Sequence, residues 1–435
     1  MRNYDVCVIG GSCTGVFAAI RAAEDGYNVC IIESSNCFGG TATAGFVNIW
    51  HTFYDAEYKT KIIGGLSQEV VDLLAKKDAV IETPNSPHRG YTFDSEQLKF
   101  VLDRMVIESE ITPYLHTSFY DAETEGNKIT SITVGNKDGL FKIGAKFFID
   151  ATGDGDLCRR VGIESYYDEA MQPPTMCARL YGIMPDQYGL VSQTLREHGD
   201  EMDLGKDWGW RGFTPGDPRF VLSADNHVFN VNCANADDLT YAEIEGRRRV
   251  EGIEYLLKKY IDSKIQITAL PSYIGIRETY HIKSMHQANV EDILYGKRFE
   301  DAVINGSYRV DYHHADTSGI TFKYLDGTQE VIPEAGAKME LSRWREPIDV
   351  DPTLYQLPYG ALVPASKLEN ILMAGRMIDA DREAFSALRV MVNCNQMGEA
   401  AGQAAAIALH EGIRAKDVST KDLRSALSHK GAIII

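Results

Sequence analysis

The opening forty residues restrict the fold more than any other part of the chain. Tyr4–Ile9 is a short, nearly continuous apolar run, the pattern of a parallel strand buried on both faces. The run breaks at Gly10-Gly11-Ser12-Cys13-Thr14-Gly15, and Val16–Ala23 then combines helical spacing with good helix formers. Gly26 is placed to end that helix in a left-handed turn. Val29–Ile32 reads as a second strand and finishes on Glu33. A strand, a glycine turn, a helix and a strand in this order predict a βαβ unit, and with it a doubly wound α/β domain.

The chemistry of such a unit explains its spacing. Backbone N–H groups at the start of the helix, together with the helix dipole, bind a pyrophosphate, and small residues let the backbone come close to it. Gly10, Ser12, Cys13, Thr14 and Gly15 are therefore candidate phosphate contacts. An acid ending the second strand accepts hydrogen bonds from ribose hydroxyls, and Glu33 stands 18 residues after Gly15. Its charge also repels a 2′-phosphate. One departure is plain: the G-x-G-x-x-G pattern asks for glycine at 12, where this chain has serine.

Composition removes several classes of partner. Lys and Arg number 44 against 62 Asp and Glu, a formal net charge of −18. Nucleic acid and anionic membranes need cationic patches, so neither is expected as a partner. The one basic run, Arg247-Arg248-Arg249, sits among acids and reads as a solvated helix face. Ser34–Tyr54 is uncharged but rich in Gly, Asn, Ser and Thr, so it predicts no transmembrane helix. The apolar N-terminal run loosely mimics a signal peptide, but Asp5 and the Gly10-Gly11-Ser12 break fit a nucleotide-binding start better. The 8 cysteines include no CxxC pair and are too sparse for a disulfide scaffold. Buried free thiols in the cytoplasm are the expectation.

Three separated stretches carry a family likeness. The first follows Glu33: Ser34-Ser35-Asn36-Cys37-Phe38-Gly39-Gly40-Thr41-Ala42-Thr43-Ala44-Gly45. The second is the apolar run Phe147–Ile149 entering Asp150-Ala151-Thr152-Gly153-Asp154-Gly155-Asp156. The third runs from Asn370–Met373 into Ala374-Gly375-Arg376, then Arg389-Val390-Met391 and Met397-Gly398-Glu399-Ala400-Ala401-Gly402. Here the chain resembles the FAD-dependent oxidoreductases of the glutathione-reductase-like, two-dinucleotide-fold superfamily. The resemblance implies a Rossmann-like FAD-binding domain split over 1–165 and 355–435, with an inserted α+β substrate domain at 166–354. It implies that Ser34, Gly39, Gly40, Thr41, Thr43 and Ala44 follow the cofactor from pyrophosphate to flavin ring. Ala151, Thr152, Gly153 and Asp156 would turn against it. The backbone near Phe119 would meet the adenine, after a hairpin around Glu125-Gly126-Asn127. Gly375, Arg376, Arg389, Val390 and Met391 would lie at the flavin, where the dipole of the following helix stabilises charge on reduction. Small residues along that helix, Gln396–Ala406, predict tight packing on a sheet.

The middle segment is mixed. Trp208, Trp210, Phe213, Phe220 and Tyr273 suggest strands and loops over a pocket. Tyr241–Lys259 reads as an amphipathic helix burying Ile244, Val250, Ile253, Leu256 and Leu257. Gly275-Ile276-Arg277-Glu278 and Tyr308-Arg309-Val310-Asp311-Tyr312-His313 resemble further elements of the same family. His313 has the intrinsic pKa for acid–base work and Arg277 the fork for a carboxylate, so both are candidate catalytic residues. Each also has a plain structural reading, a hydrogen-bonded histidine and an Arg277–Glu278 ion pair. Asp311, His313, His314 and Asp316 match no metal motif, and no metal is expected. The expected activity is hydride transfer between FAD, bound without a covalent link, and a small organic molecule, with self-association left open. The alternatives are a NAD-dependent dehydrogenase on the same βαβ unit, or a protein holding FAD as a structural element.

Overall fold

A computed structural model describes residues 1–86, 90–207 and 209–435. Trp208 lies outside the described residues. The first strand, Arg2–Ile9, stands inside a seven-stranded sheet. It pairs in parallel with Val29–Ile32 on one side and with Gly139–Asp150 on the other. Thr112–Tyr114 extends the parallel run beyond Val29–Ile32, and Ile371–Met373 extends it beyond Gly139–Asp150. Ser118–Glu125 and Lys128–Asn136 form the expected hairpin and add antiparallel to the long Gly139–Asp150 strand. Tyr114 belongs to the parallel run rather than to the hairpin.

Register places the site. Ile9 lies beside Ile32 and Asp150, and Asp150 beside Met373. The strands therefore end along one edge, and the loops after Ile9, Ile32, Asp150 and Met373 emerge together. Ligands of open α/β sheets bind in the crevice outside those carboxyl ends.

The helix Cys13–Ala23 covers the sheet and ends as expected, with Gly26 at φ 83. The helix Met391–Glu411 packs on it. A Cβ on Gly398 would stand 2.1 Å from the Thr14 carbonyl oxygen, and one on Gly402 would stand 2.1 Å from that of Ala18. The small-residue face thus serves a backbone-to-backbone helix contact, not chiefly a sheet contact. Small side chains signal close approach without naming the element approached.

A second, four-stranded antiparallel sheet has the order Trp210–Phe213, Phe220–Ala224, Ala178–Tyr181, Gln266–Ala269. The helix Ala236–Tyr260 packs against it through Val250, Ile253, Leu256 and Leu257, which are buried. Ile244 is 61% exposed, contrary to expectation. At about 100° per residue it falls on the face opposite Gly246 and Val250, and Ala242 and Gly246 take the buried places. Arg247 and Arg248 are solvated as expected, but Arg249 turns inward and lies 3.6 Å from Asp207. A four-strand meander, Val310–His313 to Glu340–Arg343, follows. Residues 288–310 contribute Ala288, Ile293, Val303 and Tyr308 to the same hydrophobic cluster as the first helix. All eight cysteines are free and buried. Among the described residues, no helix is long and apolar enough to cross a membrane, and no group of His, Cys, Asp and Glu is arranged to hold a metal ion.

Candidate cofactor and active site

The crevice begins at Gly10, whose φ of 100 is open to glycine alone without strain. A Cβ there would stand 2.3 Å from the Ala151 oxygen, and one on Gly15 would stand 1.8 Å from the Gly10 oxygen. The turn therefore brings strand end, helix start and Ala151 into direct contact. Ser12 precedes the helix and makes no side-chain cap hydrogen bond. The N–H groups of Cys13, Thr14 and Gly15 lie in the first turn, before the i−4 ladder begins at Val16.

The departure at Ser12 has a structural counterpart. Ser12 forms a parallel bridge with Gly39, and a Cβ on Gly40 would meet the Ser12 Cβ at 2.8 Å. The space lost by a side chain at 12 is returned by its absence at 40. Gly39 donates its N–H to Gly11 O at 2.8 Å, which ties the second loop to the first.

Glu33 accepts from Gly11 N at 2.8 Å and from Ser35 N at 2.7 Å, so its carboxylate stands beside the Gly10–Gly15 turn. Ser34 Oγ donates to it at 3.3 Å. Thr117 N donates to Glu33 O, which brings the segment before Phe119 alongside. Thr41 faces the Tyr273 phenol, while Thr43 is fully buried and turns its hydroxyl back onto Phe38 O at 2.6 Å. Ala44 O accepts from Ser272 N at 2.8 Å, joining this loop to the chain beside Tyr273. Burial, with the Glu33 charge, pushes the Tyr273 phenol up. Sequence reasoning assigned Tyr273 only to an aromatic patch.

The two distant stretches arrive as expected. Ala151 N bonds Ile9 O at 2.7 Å. Thr152 Oγ1 donates to Asp150 at 2.7 Å and accepts from Asp156 N at 3.1 Å, and the Asp156 side chain is about half exposed. Gly153, at φ 80, lies under the Arg376 guanidinium, which pairs with Asp154 at 2.6 Å. Thr279 donates to the same Asp154 oxygen. Gly375 has φ 126, and the Arg376 Nε has no hydrogen-bond partner. Val390 begins the Met391–Glu411 helix and, like Ser12, makes no side-chain cap bond. Two uncapped helix starts thus open on one crevice. Glycines that admit no Cβ, an acid beside the glycine turn and a guanidinium with a buried orphan nitrogen fit an elongated ADP-bearing cofactor.

Arg277 and His313 come together where the second sheet meets Arg389. Arg277 donates to Pro173 O at 2.5 Å and Thr175 Oγ1 at 2.6 Å. The expected Arg277–Glu278 ion pair does not form. The two neighbours have different partners, and Glu278 meets His281 at 3.2 Å and Gln172 N at 3.0 Å. Burial, then the Arg389 charge, pulls the Arg277 guanidinium down to about 10. Among the described residues no carboxylate lies within ion-pair distance of it. His313 Nε2 is 3.4 Å from Asp311. Burial, with the charges of Arg277, His227 and Arg389, holds the His313 imidazole well below its ordinary range. Burial opposes the Asp311 carboxylate, but Arg389 and Arg309 outweigh it and keep the group ionised. Arg389 donates to Gln172 Oε1 at 3.2 Å and Asp311 O at 3.1 Å, and its guanidinium lies 3.8 Å from the Asp311 carboxylate.

Replacing Glu33 by Arg places a cation where two N–H donors converge. FAD retained after gel filtration is expected to fall sharply in that variant; full flavin absorbance per chain would remove Glu33 from the ribose site.

A family model described as "FAD dependent oxidoreductase" matches residues 5–427. A search of the curated proteins finds no match. Among solved structures, a geranylgeranyl bacteriochlorophyll reductase-like protein of Thermoplasma acidophilum is 12% identical, with 99% of this chain and 83% of that one covered and a TM-score of 0.47. The myxobacterial chondrochloren halogenase CndH is 11% identical over 98% of this chain and 79% of that one, with a TM-score of 0.46. The flavin-dependent brominase Bmp2 is 12% identical over 98% and 83%, with a TM-score of 0.45.

Proposed function

Since the chain belongs to the FAD-dependent oxidoreductase family, with FAD as its cofactor, we propose that it oxidises or reduces a small carboxylate-bearing molecule by hydride transfer at flavin N5. FAD supplies the two-electron chemistry when bound. The observation that carries the substrate class is Arg277, a part-buried guanidinium held by a carbonyl and a hydroxyl and, among the described residues, without a carboxylate in ion-pair distance. A charge drawn partly out of water without a close counter-ion is costly, and a substrate carboxylate would compensate it bidentately.

The residues that hold the cofactor follow from the crevice. Gly10, Gly15 and the first-turn N–H groups of Cys13 and Thr14 take the pyrophosphate. Glu33 takes the ribose, and Gly39, Gly40 and Thr41 line the path toward the flavin. Val390 and Met391 present a helix N-terminus, whose dipole favours negative charge. Arg389 orients Gln172 and the Asp311 backbone, and His313 handles the substrate proton. The five parallel strands with an antiparallel hairpin on the long strand support the glutathione-reductase-like subtype. The separate antiparallel sheet within 178–269 supports an inserted substrate domain at 166–354. Eight buried, unpaired thiols support a reducing, cytoplasmic setting.

The test is an anaerobic panel of lactate, malate and 2-hydroxyglutarate against their amides, followed by flavin bleaching. Acids should bleach the flavin and amides should not. Arg277→Gln is expected to lower kcat/KM for the acid by about two orders of magnitude. His313→Ala should slow flavin reduction by roughly 10²-fold or more while FAD stays bound. Bleaching by amides as readily as by acids would end the carboxylate assignment.

A further inference from the structure

His313 is an awkward place for a proton to rest. Burial, then Arg277, His227, Arg389 and His314, press against its positive form, and the Asp311 carboxylate 3.4 Å from Nε2 only partly offsets them. A second histidine stands directly behind it. The His227 and His313 ring centroids are 5.2 Å apart, with the planes tilted by 49°. His227 is 2% exposed. Its Nδ1 meets Asp207 Oδ1 at 2.8 Å, and its backbone N–H donates to Asp207 Oδ2 at 2.7 Å. A carboxylate so held accepts the Nδ1 hydrogen and leaves the lone pair on Nε2. That Nε2 is buried and has no hydrogen-bond partner. A buried acceptor without a donor is costly, and here it stands next to the one ring that must dispose of a proton.

We propose that Asp207, His227 and His313 form a proton relay, with His313 against the substrate and His227 as the terminus. In the oxidation of a carbinol acid, the C–H hydrogen leaves with its electron pair for the flavin and the C=O bond forms. The hydroxyl proton passes to one nitrogen of His313, and its other ring proton passes to His227 Nε2 once the two neighbouring rings turn into hydrogen-bond contact. The resulting imidazolium is paired with Asp207, which is itself held near Arg249. Reduction runs the same transfers backward. The groups facing His227 are Asp207, Arg249, Arg277, Asp225 and His313. Burial lowers its pKa, and Asp207 opposes that effect. His227 is a positioning residue in this scheme, since it acts through His313. The proposal rests on the proposed place of His313 at the flavin, but its test needs no substrate.

The experiment uses FAD-loaded protein with ¹⁵N-labelled histidine, and follows ring-nitrogen signals against pH in wild type, His227→Gln, His313→Gln and Asp207→Asn. The two His→Gln variants assign the signals, and flavin absorbance checks that each keeps its cofactor. His227 should carry its hydrogen on Nδ1 at neutral pH. Its titration midpoint should move by roughly one pH unit in His313→Gln, as coupled groups require. In Asp207→Asn the Nδ1 preference should be lost. A His227 with its hydrogen on Nε2, or one titrating unchanged without His313, overturns the relay. Failure of the carboxylate panel would instead strike the proposed substrate class and leave these signals as they are.

Discussion

Glu399→Ala is expected to destabilise the protein by about 3–5 kcal/mol, the usual result of leaving one partner of a buried ion pair uncompensated. Arg21 and Glu399 are 3% and 2% exposed. Two guanidinium nitrogens reach one carboxylate oxygen, at 3.0 and 2.5 Å, while the other oxygen accepts Leu66 N at 3.2 Å. The pair thus ties the Cys13–Ala23 helix, the Met391–Glu411 helix and the start of the Gly65–Ala75 helix together. Glu24 also meets Arg21 at 2.9 Å, but it is 34% exposed and better screened by water. Urea unfolding of Glu399→Ala, Arg21→Met and the double variant with Glu399→Leu checks the reasoning. The double variant should recover much of the loss, because an apolar pair of similar volume carries no desolvation cost. A loss below about 1 kcal/mol in Glu399→Ala would mean that Glu24 alone compensates the arginine.

The second large effect separates stability from cofactor binding. Gly398→Ala and Gly402→Ala each drive a methyl group to 2.1 Å from a carbonyl oxygen of the Cys13–Ala23 helix. Overpacking of this kind costs about 1–3 kcal/mol, and more where backbone must move. The costs should be alike, since the clashes are alike. The consequences for FAD should differ. Gly398 bears on Thr14, in the first turn, the proposed place of the pyrophosphate donors, and Gly402 bears on Ala18, one turn further on. Gly398→Ala should therefore release FAD readily at temperatures where Gly402→Ala is still loaded. Flavin fluorescence release alongside far-UV unfolding reads both. Equal retention in the two variants would place the pyrophosphate elsewhere than at the Thr14 turn.

These residues also show what a linear reading reaches. The opening strand, turn and helix were legible because their chemistry is local: φ at Gly10, the helix stop at Gly26 and the acid at 33 all follow from neighbours in sequence. The hairpin around Gly126 was legible for the same reason. The small face of the last long helix was visible, but its partner was not, since closeness of approach says nothing about what is approached. Ile244 was misplaced because helical spacing offers two faces, and only the sheet beneath chooses between them. Arg277 and Glu278 looked like a pair because they are adjacent, whereas the fold gives the two neighbours different partners. Asp207 and His227 left no signal, being twenty positions apart in irregular chain with no motif around either.

The order of strand, glycine turn, helix and acid determined by itself that this chain would build a nucleotide-binding edge, because each step there is governed by contacts between near neighbours. Which groups meet around His313, the proposed reacting end, was decided only by the tertiary fold. Arg277, His313, His227 and Arg389 come from four separate segments, and the lowered basicity of Arg277, His227 and His313 exists only once burial has removed water from around them.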